Sequence, residues 1–148
     1  MKLVVGCDEA AFQLKERVKK HLMEKGYEVI DVGVYNEDPS LYPLTAEKLC
    51  QEIIEGRAEK GVLMCGTGIG MAITANKMPG IRAAVCHDIF STERSRKSND
   101  CQVMCMGARI IAPETALMLL DRWLECDFSG GGSLPKVEKI NEIDQKYR

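Results

Sequence analysis

A glycine-rich turn carries the residues most suited to chemistry in this sequence. Residues 65–70 read Cys-Gly-Thr-Gly-Ile-Gly, and they follow a short apolar run and lead into a predicted helix. Three glycines in such a turn allow backbone N–H groups to point toward one anion, and the start of a helix adds positive potential there. The anion could be a phosphate or an enediolate. The same N–H groups are expected to favour the thiolate of Cys65, and Thr67 brings a hydroxyl to the same place.

A simpler interpretation of the turn is that its glycines serve only a tight connection between a strand and a helix. Two nucleotide-binding motifs are excluded. No Gly-Lys-[Ser/Thr] follows, so the turn is not a P-loop, and the spacing of its glycines differs from the Gly-x-Gly-x-x-Gly of dinucleotide-binding folds.

Two carboxylates follow the first predicted strand. Asp8 and Glu9 are adjacent, and together they could bind the hydroxyl groups of a sugar. Asp8 is also a favourable N-cap residue for the helix that follows.

A polar cluster precedes the last predicted strand. Because most charge runs are solvated faces, Arg94 and Arg96 are interpreted as surface residues, whereas Asn99 lies next to the start of a strand and is a candidate ligand. His87, at the end of a strand, is a second candidate. His21 lies on the apolar face of a helix and is expected to be structural.

Short apolar segments alternate with helical patterns along the chain. The predicted strands are residues 2–7, 27–32, 61–65, 82–86 and 102–106. The predicted helices are residues 10–25, 42–55, 71–77, 88–97, 113–126 and 137–147. This alternation predicts a single α/β domain, residues 1–148, in which helices cover both faces of a five-stranded parallel sheet. Ligands of such folds bind at the carboxyl ends of the strands. Helix 88–97 is expected to be exposed, and the glycine run 130–132 to be flexible.

Composition excludes several classes of function. The net charge is −2 and no basic stripe is present, so no nucleic-acid or membrane partner is expected. No apolar stretch approaches the roughly 20 residues of a membrane span. The seven cysteines form no Cys-x-x-Cys pair, and no secretory leader is visible, which favours reduced thiols in the cytoplasm. Cys101 and Cys105 lack a histidine at ligand spacing, so no zinc site is expected.

The glycine-rich turn and the segment after it resemble a known family. Residues 65–70 and 75–84, the latter reading Ala-Asn-Lys-Met-Pro-Gly-Ile-Arg-Ala-Ala, are similar to ribose-5-phosphate isomerase B. Shorter matches follow the same order: Gly6-Cys7-Asp8, Tyr42-Pro43, Cys86-His87-Asp88, Ser98-Asn99-Asp100 and Met106-Gly107-Ala108-Arg109. The resemblance covers nearly the whole chain. The family also includes galactose-6-phosphate isomerase subunits and tetrose-phosphate isomerases.

The resemblance implies a fold, an assembly and a reaction. The fold is a Rossmann-like three-layer sandwich, and the assembly is a homodimer or tetramer whose site lies between subunits, with the C-terminal helix reaching the partner. The reaction is aldose–ketose isomerisation of a sugar phosphate through a cis-enediolate, of the ribose 5-phosphate/ribulose 5-phosphate type. Neither a metal ion nor an organic cofactor is implied.

The resemblance also implies roles for individual residues. Cys65 would move the proton between C1 and C2, and Thr67 would serve the substrate oxygens. The implied substrate-binding residues are Asp8, Glu9, Tyr42, Gly66, Gly68, Ile69, Gly70, Ser98, Asn99, Arg109 and Lys136. Backbone N–H groups of the turn would hold the enediolate oxygen, and Arg109 would help with phosphate. Preorganised donors of this kind are typically worth roughly 2.7–4 kcal/mol each.

Four positions depart from the ribose-5-phosphate pattern. Glu9 and Ser98 stand where ribose enzymes carry histidine, Ser133 lies about where they carry a phosphate-binding arginine, and Lys136 replaces a second arginine. The histidine replaced by Ser98 opens the furanose ring. A tetrose 4-phosphate cannot close that ring, because its 4-oxygen carries the phosphate. A tetrose 4-phosphate or a hexose 6-phosphate is therefore the alternative substrate.

Two other functions fit parts of the sequence. A sugar-phosphate-binding protein that lost catalysis would tolerate the altered phosphate ligands, although both Cys65 and Thr67 are kept. A thiol redox protein would explain the number of cysteines, but no resolving cysteine lies near Cys65 in sequence.

Overall fold

The computed structural model describes all 148 residues, which form five strands and six α-helices. The strands are β1 (Lys2–Cys7), β2 (Glu28–Asp31), β3 (Lys60–Cys65), β4 (Ala83–Val85) and β5 (Val103–Gly107). The helices are α1 (Phe12–Glu24), α2 (Tyr42–Ile54), α3 (Ile69–Ala75), α4 (Ile89–Lys97), α5 (Pro113–Glu125) and α6 (Leu134–Lys146). No helix combines the length and the apolar character that a membrane span needs.

The strands form one parallel sheet in the order β2-β1-β3-β5-β4. The central strands β1, β3 and β5 are almost continuously apolar because both faces of the sheet are covered there. On one face, Leu14 and Val18 of α1 and Trp123 of α5 belong to one buried cluster. On the other face, Leu49 of α2 and Met71 of α3 belong to a second. The predicted α/β architecture, a Rossmann-like sandwich with a five-stranded parallel sheet, is confirmed.

The strand order places a crevice beside the glycine-rich turn. From β1 the chain first adds β2 on one side and then β3 on the other, so the order reverses between β1 and β3. Open parallel sheets bind ligands outside the carboxyl ends of the strands at such a switch point. Asp8 follows β1 and Cys65 ends β3, so both lie at this point.

The expectation that helix 88–97 is exposed is wrong for three residues, because Thr92, Ser95 and Arg96 are buried. Arg96 is buried, because its guanidinium donates hydrogen bonds to the carbonyls of Cys101 (2.8 Å) and Cys126 (3.4 Å). It also lies 5.9 Å from the centre of the Trp123 ring, within cation–π range. Arg96 therefore fastens α4 to the chain on both sides of α5.

Two smaller expectations are refined. His21 is half-buried, and its Nε2 forms a hydrogen bond with Asp121 of α5 at 2.7 Å. The contact that His21 makes between helices is therefore a polar one, although it was predicted on an apolar face. The predicted flexible glycine run includes the start of a short 3-10 turn, Gly131–Ser133, that leads directly into α6.

Candidate active site

The thiol of Cys65 lies inside the glycine-rich turn and accepts a hydrogen bond from its backbone. Cys65 is buried at the end of β3, and the N–H of Gly68 donates to its Sγ at 3.0 Å. Gly68 is the N-cap of α3 and has a φ of +82°, a conformation that favours glycine. The exposed hydroxyl of Thr67 accepts from the N–H of Ile69 at 3.2 Å. A donor aimed at Sγ stabilises the thiolate, the form that can act as a base.

The turn is fastened to the end of β5. The N–H groups of Ala108 and Arg109 donate to the carbonyls of Cys65 (2.8 Å) and Gly66 (3.0 Å). The approach is so close that a Cβ added to Gly107 would lie 2.7 Å from backbone atoms of Thr67. The sequence analysis assigns Gly107 no role, although it lies in the matching segment Met106-Gly107-Ala108-Arg109 at the end of the last strand.

Tyr42 covers the other side of the turn. It opens α2, which has a proline in its first turn, a position that tolerates the missing N–H. A Cβ on Gly70 would overlap the Tyr42 ring, so glycine is needed there for the two to pack together. The third glycine of the motif thus makes room for an aromatic wall, in keeping with the predicted place of Tyr42 in the pocket.

Two carboxylates and one guanidinium lie close together at this edge of the sheet. Asp8 accepts from the N–H groups of Ala10 and Ala11 at 3.1 and 3.2 Å, so it caps the short 3-10 turn Glu9–Ala11 that leads into α1, and not α1 itself as predicted. Burial and the neighbouring Glu9 raise the pKa of Asp8. A hydrogen bond from the Ser40 hydroxyl, 2.6 Å from its Oε2, lowers the pKa of Glu9.

Arg109 supplies the positive charge at the same edge. Its charge acts on both carboxylates and favours their ionised forms. A Cβ on Gly66 would lie 3.3 Å from Nη1 of Arg109, so the guanidinium rests against the turn. The exposed guanidinium keeps open donors for a phosphate.

His87 supports the turn from the end of β4. Its Nε2 accepts a hydrogen bond from the N–H of Gly107 at 2.8 Å, which requires that nitrogen to be deprotonated. Burial lowers the pKa of His87 and favours the same neutral form. His87 therefore lies beside the site and holds Gly107, the residue that packs against the backbone of Thr67.

Three predicted site residues lie elsewhere in the chain. The register pairs Cys65 with Gly107 and Gly61 with Val103, so Val103 lies about 13 Å down the sheet from the level of Cys65. Ser98 and Asn99 precede Val103 and therefore lie toward the amino edge. Lys136 is exposed in the first turn of α6. One chain brings together the residues at the carboxyl edge but not these three.

Several of the other cysteines lie in the buried core. Burial raises the pKa of Cys7, Cys50 and Cys101 to about 12 in each case. Cys105 is on the same face of the sheet as Cys65 but two register positions away, a diagonal distance of roughly 7–8 Å. A disulfide needs Cα atoms about 4.4–6.8 Å apart, so Cys105 is not placed to resolve an oxidised Cys65.

Comparisons with known proteins agree on one family. A family model described as ribose/galactose isomerase matches residues 3–140. A ribose-5-P isomerase B from Listeria innocua is 52% identical over the whole of both chains. A D-erythrulose-4-phosphate isomerase from Pectobacterium atrosepticum is 48% identical over all of this chain and 98% of its own. The structure of ribose-5-phosphate isomerase B from Clostridium thermocellum superposes with a TM-score of 0.98 at 38% identity, covering all of both chains.

Proposed function

This chain belongs to the ribose/galactose isomerase family and is an aldose–ketose isomerase, and we propose that Cys65 is the base that moves its substrate's proton. The thiolate takes the proton from C2 of an open-chain aldose phosphate, and O1 becomes the enediolate oxygen. The hydroxyl proton passes from O2 to O1 with the help of Thr67, and the Cys65 thiol then returns the carbon-bound proton to C1. The ketose phosphate then leaves, and Cys65 is again a thiolate.

The observation that carries this proposal is the hydrogen bond from the Gly68 N–H to Cys65 Sγ, in a turn fastened to β5. The backbone N–H groups of Gly66, Thr67 and Gly70, which have no acceptor within the chain, are then fixed in place before charge develops on the enediolate, which is how such donors accelerate proton abstraction. Tyr42 walls the substrate, Asp8 and Glu9 bind its hydroxyls, and Arg109 binds phosphate. We place the whole reaction in one domain, residues 1–148, working in the cytoplasm, where its seven free cysteines stay reduced.

The experiment that tests this function follows isomerisation by NMR in deuterated water. Ribose 5-phosphate, erythrose 4-phosphate, allose 6-phosphate and galactose 6-phosphate are offered in turn. Deuterium entering C1 or C2 of one of them supports the reaction and names its substrate. Binding of a sugar phosphate without exchange would instead make the chain a catalytically silent binding protein.

The proposed site is completed by a second copy of the chain. Ser98, Asn99 and Lys136 then come from the partner, by way of α4 and the C-terminal helix. Large apolar side chains on the surface near the Cys65 edge support a homodimer, which can pair further into a tetramer. At least half of the surface of each is exposed: Leu44, Ile69, Ile73, Ile89 and Phe90.

Mixing two inactive variants tests the shared site. If Cys65→Ser and Asn99→Ala impair opposite halves, a heterodimer keeps one intact site, and random pairing restores about a quarter of wild-type activity. Light scattering gives the mass in parallel. A fully active monomer, or no recovery on mixing, would contradict the shared site.

Two substrates compete within the proposed reaction. Ribose 5-phosphate is the type substrate of the family. A tetrose 4-phosphate is favoured by Ser98, whose Oγ accepts from Nη1 of Arg94 at 3.1 Å. A serine hydroxyl so engaged is a poor acid or base near neutral pH, so it is unsuited to opening a sugar ring. We place position 98 beside O4 of the substrate, which is the ring oxygen of a furanose but the phosphate ester oxygen of a tetrose 4-phosphate.

A further inference from the structure

A cavity of about 470 Å³ runs along the outer edge of β4, away from Cys65 of the same chain. Its walls include the guanidinium-bearing Arg82 and Arg94 and the polar side chains of Ser91 and Asn99. No aspartate or glutamate lines it. Arg82 is paired with Asp100, whose Oδ2 lies 3.4 Å from its Nη2, whereas Arg94 forms no ion pair, so the charge of Arg94 makes this cavity suited to an anion.

Arg82 has no capacity left for a ligand. Its guanidinium donates to the backbone carbonyls of Asn99 (3.2 Å), Asp100 (2.8 Å) and Gly80 (3.4 Å), and to the side chain of Asn141 (2.8 Å). These bonds fix the turn that carries Asn99. Arg82 is therefore a structural residue of the cavity wall.

Arg94 is the cation with donors to spare. Its Nη1 bonds only the hydroxyl of Ser98, and its buried Nε has no acceptor within the chain. Nη2 makes no hydrogen bond within the chain, so it is the donor left for a ligand oxygen. The adjacent carboxylate of Glu93 is already taken by Arg122, whose Nε lies 2.8 Å away.

Hydrogen bonds fix the short segment after α4, residues 98–100, beside Arg94. The N–H groups of Ser98 and Asn99 both donate to the carbonyl of Arg94, at 2.9 and 3.1 Å. The next residue, Asp100, has a φ of 50° and is held by Arg96 at 3.1 Å. The exposed side-chain amide of Asn99, which lines the same cavity as the guanidinium, is left free to bind a ligand oxygen.

We propose that Arg94 binds the phosphate of the substrate, that the substrate is a four-carbon sugar 4-phosphate, and that Arg94 acts in the site of the partner chain. This rests on the proposed function, in which Ser98 faces O4. In a tetrose 4-phosphate O4 carries the phosphate, so the group lies beside Ser98 and within reach of the guanidinium bonded to it. The positive charge missing at Ser133 is thereby supplied from α4.

Calorimetric binding of 4-phospho-D-erythronate, an open-chain four-carbon acid, tests the assignment in the full-length protein. Arg94→Met is expected to weaken binding by about 100-fold, because a charge-assisted contact to phosphate is lost. Arg94→Lys should weaken it about tenfold, since lysine keeps the charge but not the planar fork. Lys97→Met, which removes one positive charge from the same helix outside the cavity, should bind like the wild type.

Unphosphorylated D-erythronate separates phosphate binding from a structural role. The Arg94 variants should bind it as weakly as the wild type does, so that the advantage of the phosphate is what disappears. Wild-type binding of 4-phospho-D-erythronate by Arg94→Met, or an equal loss for both acids, would overturn the proposal. So would a wild-type kcat/KM that is higher for ribose 5-phosphate than for D-erythrulose 4-phosphate. Deuterium exchange by the wild type reports on the isomerase function separately, because these affinities do not depend on turnover.

Discussion

Replacing Gly107 by alanine tests how far the Cys65 turn depends on its close approach to β5. The new Cβ would lie 2.7 Å from Thr67 C and Cα and 2.8 Å from the Gly66 oxygen, whereas ordinary contact begins at 3.4 Å. The turn would have to move by roughly 0.7 Å, and no side chain can rotate away because all three atoms are backbone. Overpacking of this kind costs about 1–3 kcal/mol. A displacement approaching 1 Å at reacting groups can lower the rate by about 100-fold.

We therefore expect Gly107→Ala to lose about 2 kcal/mol of unfolding free energy and to lower kcat about 30- to 100-fold. Urea denaturation measures the first quantity and a steady-state isomerisation assay the second. Gly61→Ala is the matched control, because its Cβ would also meet an atom at 2.7 Å, but that atom is Cδ2 of Leu49 in the core. It should lose stability and keep its kcat within about twofold. A folded Gly107→Ala protein with wild-type kcat would refute the reasoning.

Three further outcomes are expected. Cys65→Ser should lower kcat by at least about 1,000-fold while sugar phosphate still binds by calorimetry, because serine lacks an accessible anionic form; near-normal turnover would remove Cys65 as the base. Because the pKa of His87 is lowered in the folded protein, its neutral form stabilises the fold fully above the ordinary value of 6.5, and this stabilisation is lost as pH falls through the lowered pKa. Urea denaturation as a function of pH should therefore show a steeper loss of stability for the wild type than for His87→Gln. Parallel pH profiles of the two proteins would count against this. Lys15→Met should cost about 3 kcal/mol, because the fully buried Lys15 ammonium lies 2.9 Å from Asp31, while Lys19, at 3.2 Å, still pairs with that carboxylate; urea denaturation measures the loss, and an unaltered stability would contradict this.

The three central strands, β1, β3 and β5, were predictable because they are buried on both faces and so read as nearly continuous apolar runs. The start of α3 was harder to predict. The prediction places it at residue 71, but Gly68 is the N-cap and α3 begins at Ile69. A positive φ at glycine leaves no mark in the hydrophobic pattern. The predicted cluster at the carboxyl edge could be found because Asp8 and Cys65 each end a strand.

Other features depend on contacts that local patterns do not encode. Arg96 looks like a surface charge, yet its guanidinium is buried by Trp123 and by carbonyls distant in the chain. Asn99 lies next to the start of a strand, and only the register shows that this is the edge opposite Cys65. The contact between Gly107 and Thr67 joins two segments about 40 residues apart, so it becomes visible only when the sheet is assembled.

The bonds that hold Cys65 in place are all made by the main chain, through the N–H groups of Gly68, Ala108 and Arg109. A point mutation exchanges side chains and leaves such donors in place, so this part of the molecule is insulated from most sequence drift. The residues proposed to recognise the substrate, Arg94 and Ser98, lie on another element and can vary independently. One lineage can then acquire new sugars through a few side-chain exchanges on α4 while the machinery for proton transfer is inherited unchanged.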